Sequence, residues 1–541
     1  MCGIWGFITN KTNKNYDIIK LFECFNKIKY RGPDTSRFIE LNEFNQKIFL
    51  GFHRLAIIDR YSSGDQPFVI EYDNRTIYSI TNGEIYNYME LIELYNLDTS
   101  LSKSDCYVIP LLYEKFGAYE TAKLLDGEFS TVILDFYHET GELKVSMFRD
   151  PLGIRPLFYN MTDDHLIFGS ELKSVIINDP SDTDIRQFQP GYILEYTSSG
   201  YKLQLYTDIY NNNKILDDDV NTICQMIRET LEKSVISMLN TERPLGALLS
   251  GGLDSSLVVG IASKYLSKYN KKLRTFSIGI PGSTDRYYAE LVANYCNTDH
   301  THIELTVDDF LEAVNPVIYR TETFDITTIR ASVGQYLVSK WISENTDIKV
   351  LLIGDGSDEL TSGYMYFHKT PDPLSGHNEN IRLLKNIHYF DVLRADRGIA
   401  SNGLEARVPF LTKSFVKLYL QIPYDLRIPY NHDDKREKWL LRRSFKNQSI
   451  IPDEVLYRPK EAFSDGVSSK EKSWYTILQE NILIDSLKVY DYLPPKTKES
   501  AYYRDVFTNF FGDINIIPYF WLPKWCGDIE EPSARVLDVY K

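Results

Sequence analysis

Cys2 lies next to the initiator methionine, so removal of Met1 would leave a thiol nucleophile and a free α-amine on one residue. An α-amine titrates near about 8, so part of it is unprotonated at neutral pH and can accept the thiol proton, directly or through one water. Thiolate attack on a carboxamide creates a tetrahedral oxyanion that needs positioned N–H donors. The Asn82 side chain and the Gly83 backbone N–H, within Asn82-Gly83-Glu84-Ile85-Tyr86-Asn87, can supply them. Arg54, in Phe52-His53-Arg54-Leu55-Ala56-Ile57-Ile58-Asp59, can clamp a carboxylate with both guanidinium arms, and Asp105, in Ser104-Asp105-Cys106, can accept from an ammonium. A carboxylate site beside an ammonium site describes a free α-amino acid, and glutamine fits. The competing readings are local: Asn82-Gly83 as a type I′ hairpin turn and Arg54 as a solvated strand end.

A second constellation is Ser250-Gly251-Gly252-Leu253-Asp254-Ser255-Ser256, between a predicted strand (245–249) and a predicted helix (257–266). Its N–H groups and the helix dipole converge on one point, which attracts anions. The three serine hydroxyls can donate to phosphate oxygens, and Asp254 can hold Mg²⁺. The string has no Walker lysine, so it is not a γ-phosphate-transfer loop. Farther on, Asp355-Gly356-Ser357-Asp358-Glu359 follows the apolar run Val350-Leu351-Leu352-Ile353, and Lys460 lies in Arg458-Pro459-Lys460-Glu461-Ala462-Phe463-Ser464-Asp465-Gly466. Lys460 is either a neutraliser of pyrophosphate charge or a solvated surface lysine. The charged residues mixed into apolar helix at 390–397 and 403–410 are either paired with one another or bind substrate.

Positioning these groups takes two domains, as 541 residues are too many for one core. From Cys2 to Tyr206 the apolar runs are short and alternating, which predicts an α+β sandwich of antiparallel sheets, with the run from Cys2 as an edge or first strand. An Asn- and Asp-rich stretch, including Asn211-Asn212-Asn213, marks the boundary. From Val220 to Lys541 strands alternate with helices, so a parallel sheet is expected with ligands at the strands' carboxyl ends, followed by a mainly helical part. The net charge of −15 is spread rather than blocked, which recommends neither a nucleic-acid nor a membrane partner. Six scattered cysteines without a C-x-x-C pair argue for a reducing, cytoplasmic compartment and against structural zinc. No run approaches a membrane span, and an N-terminal signal would displace Cys2 from the mature terminus.

The first group of segments, with Arg31-Gly32-Pro33-Asp34 among them, resembles the N-terminal-nucleophile glutaminase domain of class II glutamine amidotransferases. That resemblance implies Cys2 as nucleophile, Asn82 and Gly83 as oxyanion hole, and Arg54, Leu55, Ala56, Ile57, Ile58, Glu84 and Asp105, with Asn82 and Gly83, as glutamine contacts. The second group resembles the pyrophosphate loop of the ATP-pyrophosphatases. It implies ATP contacts from Leu249, Ser250, Gly251, Gly252, Asp254, Ser255, Ser256, Ile278, Ile353, Gly354 and Lys460, and Mg²⁺ at Asp254 and Asp358.

Domains in this order, 2–206 and 220–541, resemble the glutamine-hydrolysing asparagine synthetase family, closest to the eukaryotic type, up to Pro532-Ser533-Ala534-Arg535. The resemblance implies a cytoplasmic homodimer that adenylates aspartate with ATP and transfers glutamine-derived ammonia to β-aspartyl-AMP. Asp355 would be catalytic, and Glu359, Asp391 and Arg394 would hold aspartate. Two positions depart from the pattern: where the family usually has Ser-Gly-Glu-Gly, this chain has Ile353-Gly354-Asp355-Gly356. Asp355 is about 1.5 Å shorter in reach, a misplacement of the order that costs a hundredfold in rate, so glutamate there is expected to raise synthesis. Two alternatives follow: a β-lactam-forming synthetase on the same scaffold, against which Cys2 and Asn82-Gly83 argue, or a glutaminase or regulatory protein with an impaired synthetase.

Overall fold

Near-continuous burial along Arg75–Ile85, Gly127–Tyr137 and Glu142–Arg149 is the pattern of strands covered on both faces. In the computed structural model these strands form one of two antiparallel sheets. The structure describes residues 1–9, 16–43, 46–177, 184–211, 214–432, 435–461, 463–469, 471–482 and 488–533; Asn212, Asn213, Ala462, Ala534 and Arg535 lie outside them. The chain divides into two compact units: Met1–Asp208 with Ala400–Leu404 and Phe511–Ile516, and Ile209–Ile399 with Glu405–Phe510 and Ile517–Lys541.

The strands of the first unit are β1 (Gly3–Thr9), β2 (Thr35–Glu43), β3 (Gln46–Arg54), β4 (Phe68–Tyr72), β5 (Arg75–Ile85), β6 (Gly127–Tyr137), β7 (Glu142–Arg149), β8 (Phe158–Met161), β9 (His165–Gly169), β10 (Arg186–Gln187), β11 (Tyr192–Thr197) and β12 (Gly200–Leu205). One sheet has the order β10-β8-β9-β1-β3-β2 and the other β12-β11-β7-β6-β5-β4. Ile4, Ile8, Leu50 and Phe52 from the first share a buried cluster with Ile80, Val132, Leu134 and Met147 from the second, so the sheets pack face to face. The outer face of the second sheet, with Ile77, Ile85 and Ile133, is covered by Leu91 and by Ile109 and Leu112 of the helix Val108–Leu124.

β1 is interior, between β9 and β3, which corrects the edge reading of the run from Cys2. Its glycines make room inside the unit. A Cβ on Gly6 would stand 2.2 Å from the Phe168 ring.

In the second unit, β13 (Leu245–Leu248), β14 (Arg274–Gly279), β15 (Asp299–Glu304), β16 (Val350–Leu352) and β17 (Glu405–Arg407) make a parallel sheet of order β15-β14-β13-β16-β17. The chain leaves β13 toward β14 and β15, then returns to the other side of β13 as β16. The strand order therefore reverses between β13 and β16, where open parallel sheets leave a crevice at the carboxyl ends. Beyond β16 the described residues are mainly helical, with β17 as the sheet's last strand.

Candidate active sites

Asn82 and Glu84 share one face of β5 with Ile80, because side chains alternate along a strand. Ile80 belongs to the cluster between the sheets, against which Cys2 also packs. Asn82 pairs with Ser130 in mid-strand, so the hairpin-turn reading fails. Gly83 faces Phe129, and a Cβ there would lie 2.4 Å from the Glu128 carbonyl, a space only glycine fits. Asn82 is fully buried, yet neither its Oδ1 nor its Nδ2 has a partner. An orphaned buried amide costs about 1–3 kcal/mol, so it is suited to a ligand oxygen that arrives later.

The half-buried Cys2 thiol donates to the Leu55 carbonyl at 3.7 Å, which places it against the buried run Leu55–Ile58. Cys106 lies beneath, and its thiol donates to the Gly83 carbonyl at 3.4 Å. Burial pushes the Cys106 thiol far up, and Asp105, Glu84 and Cys2 push it further, which places all three around one buried point. Asp105 Oδ2 accepts from the Ile85 N–H at 2.7 Å, anchoring the end of β5.

Arg54 differs from the sequence expectation. It is buried rather than solvated, and its fork is closed. Nη1 donates to Tyr61 O at 2.6 Å and Asp65 Oδ1 at 2.8 Å, while Nη2 donates to the carbonyls of Ile58 and Asp59. A guanidinium with both terminal nitrogens held inside one loop shapes that loop.

Sequence reasoning assigned no role to Arg31. Its Nε donates to the Cys2 carbonyl at 3.0 Å, and its Nη1 is held by Glu171 at 2.7 Å. Met1 is present and only 2% exposed, with its sulfur beside Arg31 and Arg155. While Met1 remains, the nitrogen of Cys2 is an amide and cannot serve as a base.

In the second unit, the loops after β13 and β16 flank a cavity of about 250 Å³. Its walls carry Leu249, Ser250, Gly252, Asp254 and Ser255 from the first loop, Ile278 from β14, and Ile353, Gly354, Asp355, Asp358 and Glu359 from the second. Asp391, Arg394 and Lys460 also line it. The loops touch closely, for a Cβ on Gly354 would stand 2.8 Å from the Ser255 nitrogen. Gly251, at φ +72°, makes the turn under Tyr288 and Ala289. The Ser255 and Ser250 hydroxyls lie 3.1 Å apart, pre-set at the start of the helix Leu253–Ser267.

Two expectations change here. Ser256 is fully buried away from the cavity wall and its hydroxyl has no partner, so two serines of the loop, not three, face the cavity. The Ile353 N–H donates to Arg407 O at 3.1 Å, extending the β16–β17 ladder, so the missing hydroxyl at 353 leaves the main chain in place.

The residue the sequence did not reveal is Lys438. Its Nζ is 2.5 Å from Asp254 Oδ2 and 2.6 Å from Asp358 Oδ1. Lys460 Nζ lies 2.5 Å from Asp358 Oδ2, which excludes the solvated-surface reading of Lys460. Lys438 adopts φ +56°, unfavourable for a residue with a Cβ, and Gly363 leaves room for its stem, since a Cβ there would sit 2.1 Å from Lys438 Cε. Burial works to raise Asp358, but the ammonium groups of Lys438 and Lys460 outweigh it and hold the carboxylate below its ordinary range. No group of three or more metal-ligating side chains forms among the described residues. Asp254 and Asp358, two carboxylates on facing loops, match a Mg²⁺ held chiefly by nucleotide phosphates and water.

Asp355, Asp391 and Arg394 meet as a cluster. Arg394 Nη2 pairs with Asp355 Oδ1 and lies 2.7 Å from Asp391 Oδ1. Burial raises the Asp355 carboxyl, against the pull of Arg394. Glu359 is raised far more, first by burial and then by Asp391 and Asp358, and it accepts from the Tyr364 hydroxyl. Burial beside other carboxylates favours the protonated form of this group.

The asparagine synthase family matches residues 226–382 and 372–513, and the glutamine amidotransferase domain family matches 1–216. The asparagine synthetase [glutamine-hydrolyzing] of Gallus gallus is 40% identical over 576 aligned residues, covering 100% of this chain and 99% of the relative. Its counterparts in Homo sapiens and Bos taurus are 39% and 38% identical, with the same coverage.

Proposed function

The chain belongs to the glutamine-hydrolysing asparagine synthetases, and from that premise we propose which residues carry the ATP-dependent synthesis of asparagine from aspartate and glutamine. Residues 2–206 are the glutaminase. After Met1 is removed, the Cys2 amine takes the thiol proton, and the thiolate attacks the glutamine carboxamide carbon. Asn82 Nδ2 and the Gly83 N–H hold the oxyanion, and ammonia leaves with the proton held by the amine. Water then releases glutamate from the thioester. Leu55, Ala56, Ile57, Ile58, Glu84 and Asp105 surround glutamine, and Arg54 acts by shaping the loop 55–65.

Residues 220–541 are the synthetase. A β-carboxylate oxygen of aspartate attacks the α-phosphorus of ATP while the bond to the β-phosphate breaks. Ser250, Gly252, Ser255 and the start of the helix Leu253–Ser267 cradle the phosphates. Lys438 and Lys460 neutralise the departing pyrophosphate, and Ile278 and Ile353-Gly354 flank the nucleotide. Arg394, Asp391 and Glu359 orient aspartate. Asp254 and Asp358 would hold Mg²⁺, which supplies charge neutralisation at the phosphates. The ensemble is proposed to be a cytoplasmic homodimer, a reading supported by free cysteines and family likeness; no described helix is long and apolar enough to cross a membrane.

The observation that carries the reading is the cavity that unites the anion loop, the acidic loop and two lysines. The test is to incubate the purified chain with glutamine, aspartate, Mg²⁺ and ATP. Asparagine, glutamate, AMP and pyrophosphate are expected. Glutamate alone would mean the synthetase half is silent.

A further inference from the structure

Lys460 reaches Asp358 from a stretch, 458–461, that belongs to neither helix nor strand. A lysine on such a stretch is placed only as well as the stretch itself is held. Arg458 lines the same cavity, is 6% exposed, and has no role in the scheme above. Its Nη2 lies 2.8 Å from Asp285 Oδ1 and 2.9 Å from Glu461 Oε2, and its Nη1 donates to the Ser250 carbonyl at 3.4 Å. Its guanidinium carbon stands 4.0 Å from the centre of the Tyr288 ring, on the helix Thr284–Tyr295 that also carries Asp285.

The Arg458–Glu461 pair closes the residues on either side of Lys460 into a clasp. Pro459, inside it, removes one backbone freedom. Both ends are tied down: Glu461 Oε2 accepts from Thr284 Oγ1 at 3.0 Å, and the Arg458 carbonyl accepts from Arg442 Nη2 at 3.0 Å. Tyr288, against which the guanidinium lies, also covers the turn at Gly251 in the anion loop. One side chain therefore links the loop that cradles phosphate to the stretch that carries Lys460. Its two terminal nitrogens are held by protein acceptors, which makes it a support for the lysine and not a second phosphate ligand. A misplacement of about 1 Å at a reacting group can cost on the order of a hundredfold, so such support matters to the rate.

Resting on the synthetase reading, we propose that Arg458 is a positioning residue for the adenylation step. Its fork, closed on Asp285 and Glu461, sets the Lys460 ammonium where pyrophosphate departs, and its contact with Ser250 keeps that ammonium in register with the anion loop.

The test uses full-length protein, with magnesium pyrophosphate and, separately, AMP as probes of binding by calorimetry. R458K keeps the charge and loses the fork, since one ammonium cannot reproduce the guanidinium's geometry toward three acceptors. Pyrophosphate should bind about tenfold more weakly, the worth of one charge-assisted hydrogen bond, while AMP, which has no pyrophosphate to place, binds as before. K460M should lose at least as much. Adding R458K to K460M should then change pyrophosphate affinity by less than about twofold, because a residue that acts through Lys460 has nothing left to act on. Losses that multiply in the double variant would overturn the proposal, as would an unchanged pyrophosphate affinity in R458K or an equal loss of AMP, the mark of a merely structural role. If R458K does not fold, E461M, which opens the clasp and leaves Arg458 on Asp285 and Ser250, is read in the same way. Wild-type protein that binds neither magnesium pyrophosphate nor AMP would overturn the synthetase reading itself.

Discussion

Lys438 Nζ lies 2.5 Å from Asp254 Oδ2, a contact between residues 184 positions apart that joins the anion loop to the segment before the helix Trp439–Phe445. The ammonium also faces Asp358, so one buried cation separates two carboxylates. Removing it leaves them facing each other. Lys438→Met should therefore destabilise the protein by about 3 kcal/mol, the scale for breaking a buried ion pair. Mg²⁺ should restore part of that loss by replacing the cation. Thermal melts with and without Mg²⁺ check this, and pyrophosphate exchange should fall about a hundredfold.

Asn82 makes the opposite kind of prediction. Its amide has no partner, so Asn82→Ala removes a desolvation cost along with a side chain. Stability should change by less than about 1 kcal/mol, while glutaminase turnover falls about 10²–10³-fold. Ammonia-dependent synthesis should be untouched. Denaturant titration and a glutamate assay on the same preparation read both halves.

Met1 ties the chain terminus down among Arg31 and Arg155. Intact-mass measurement of active protein should show a chain beginning at Cys2. Any fraction that keeps Met1 should make asparagine from ammonia and not from glutamine, because its Cys2 nitrogen is an amide.

Asp285 gives a pH signature. Burial raises its carboxyl to about 6, against the pull of Arg458, whose Nη2 is 2.8 Å away. A folded value above the unfolded one means that the native state holds the proton more tightly and that unfolding releases it. The group's contribution is complete below about 4 and is lost as pH rises through about 6, a span of about 3 kcal/mol. Stability curves of wild type and Asp285→Asn should diverge in slope across that window and run parallel above it. Equal slopes would remove Asp285 as the cause.

The two site motifs were legible because each is local. The loop 250–256 carries its own turn, hydroxyls and helix start, and Asn82-Gly83 its own donors. Partners brought by the fold were not legible. Lys438 sits in a charged stretch without a motif, and only the return of the chain to the cavity shows what it neutralises. Gln335 looks like an ordinary polar residue of an apolar helix until Asp355 is placed beside it. Arg54 was read with an open fork because spacing does not show that residues 58–65 wrap around it. The departure at 355 is likewise not a matter of reach alone: both oxygens of Asp355 are engaged, by Arg394 and Gln335.

The central claim is that a thiol at the terminus frees nitrogen while a separate cavity activates the acid that receives it. Cys2→Ala assayed for asparagine and AMP, with glutamine and then with ammonium chloride, tests it most directly. The account predicts no asparagine from glutamine, and asparagine with equimolar AMP from ammonia at close to the wild-type rate. A folded Cys2→Ala protein that still used glutamine, or that lost both activities, would contradict it.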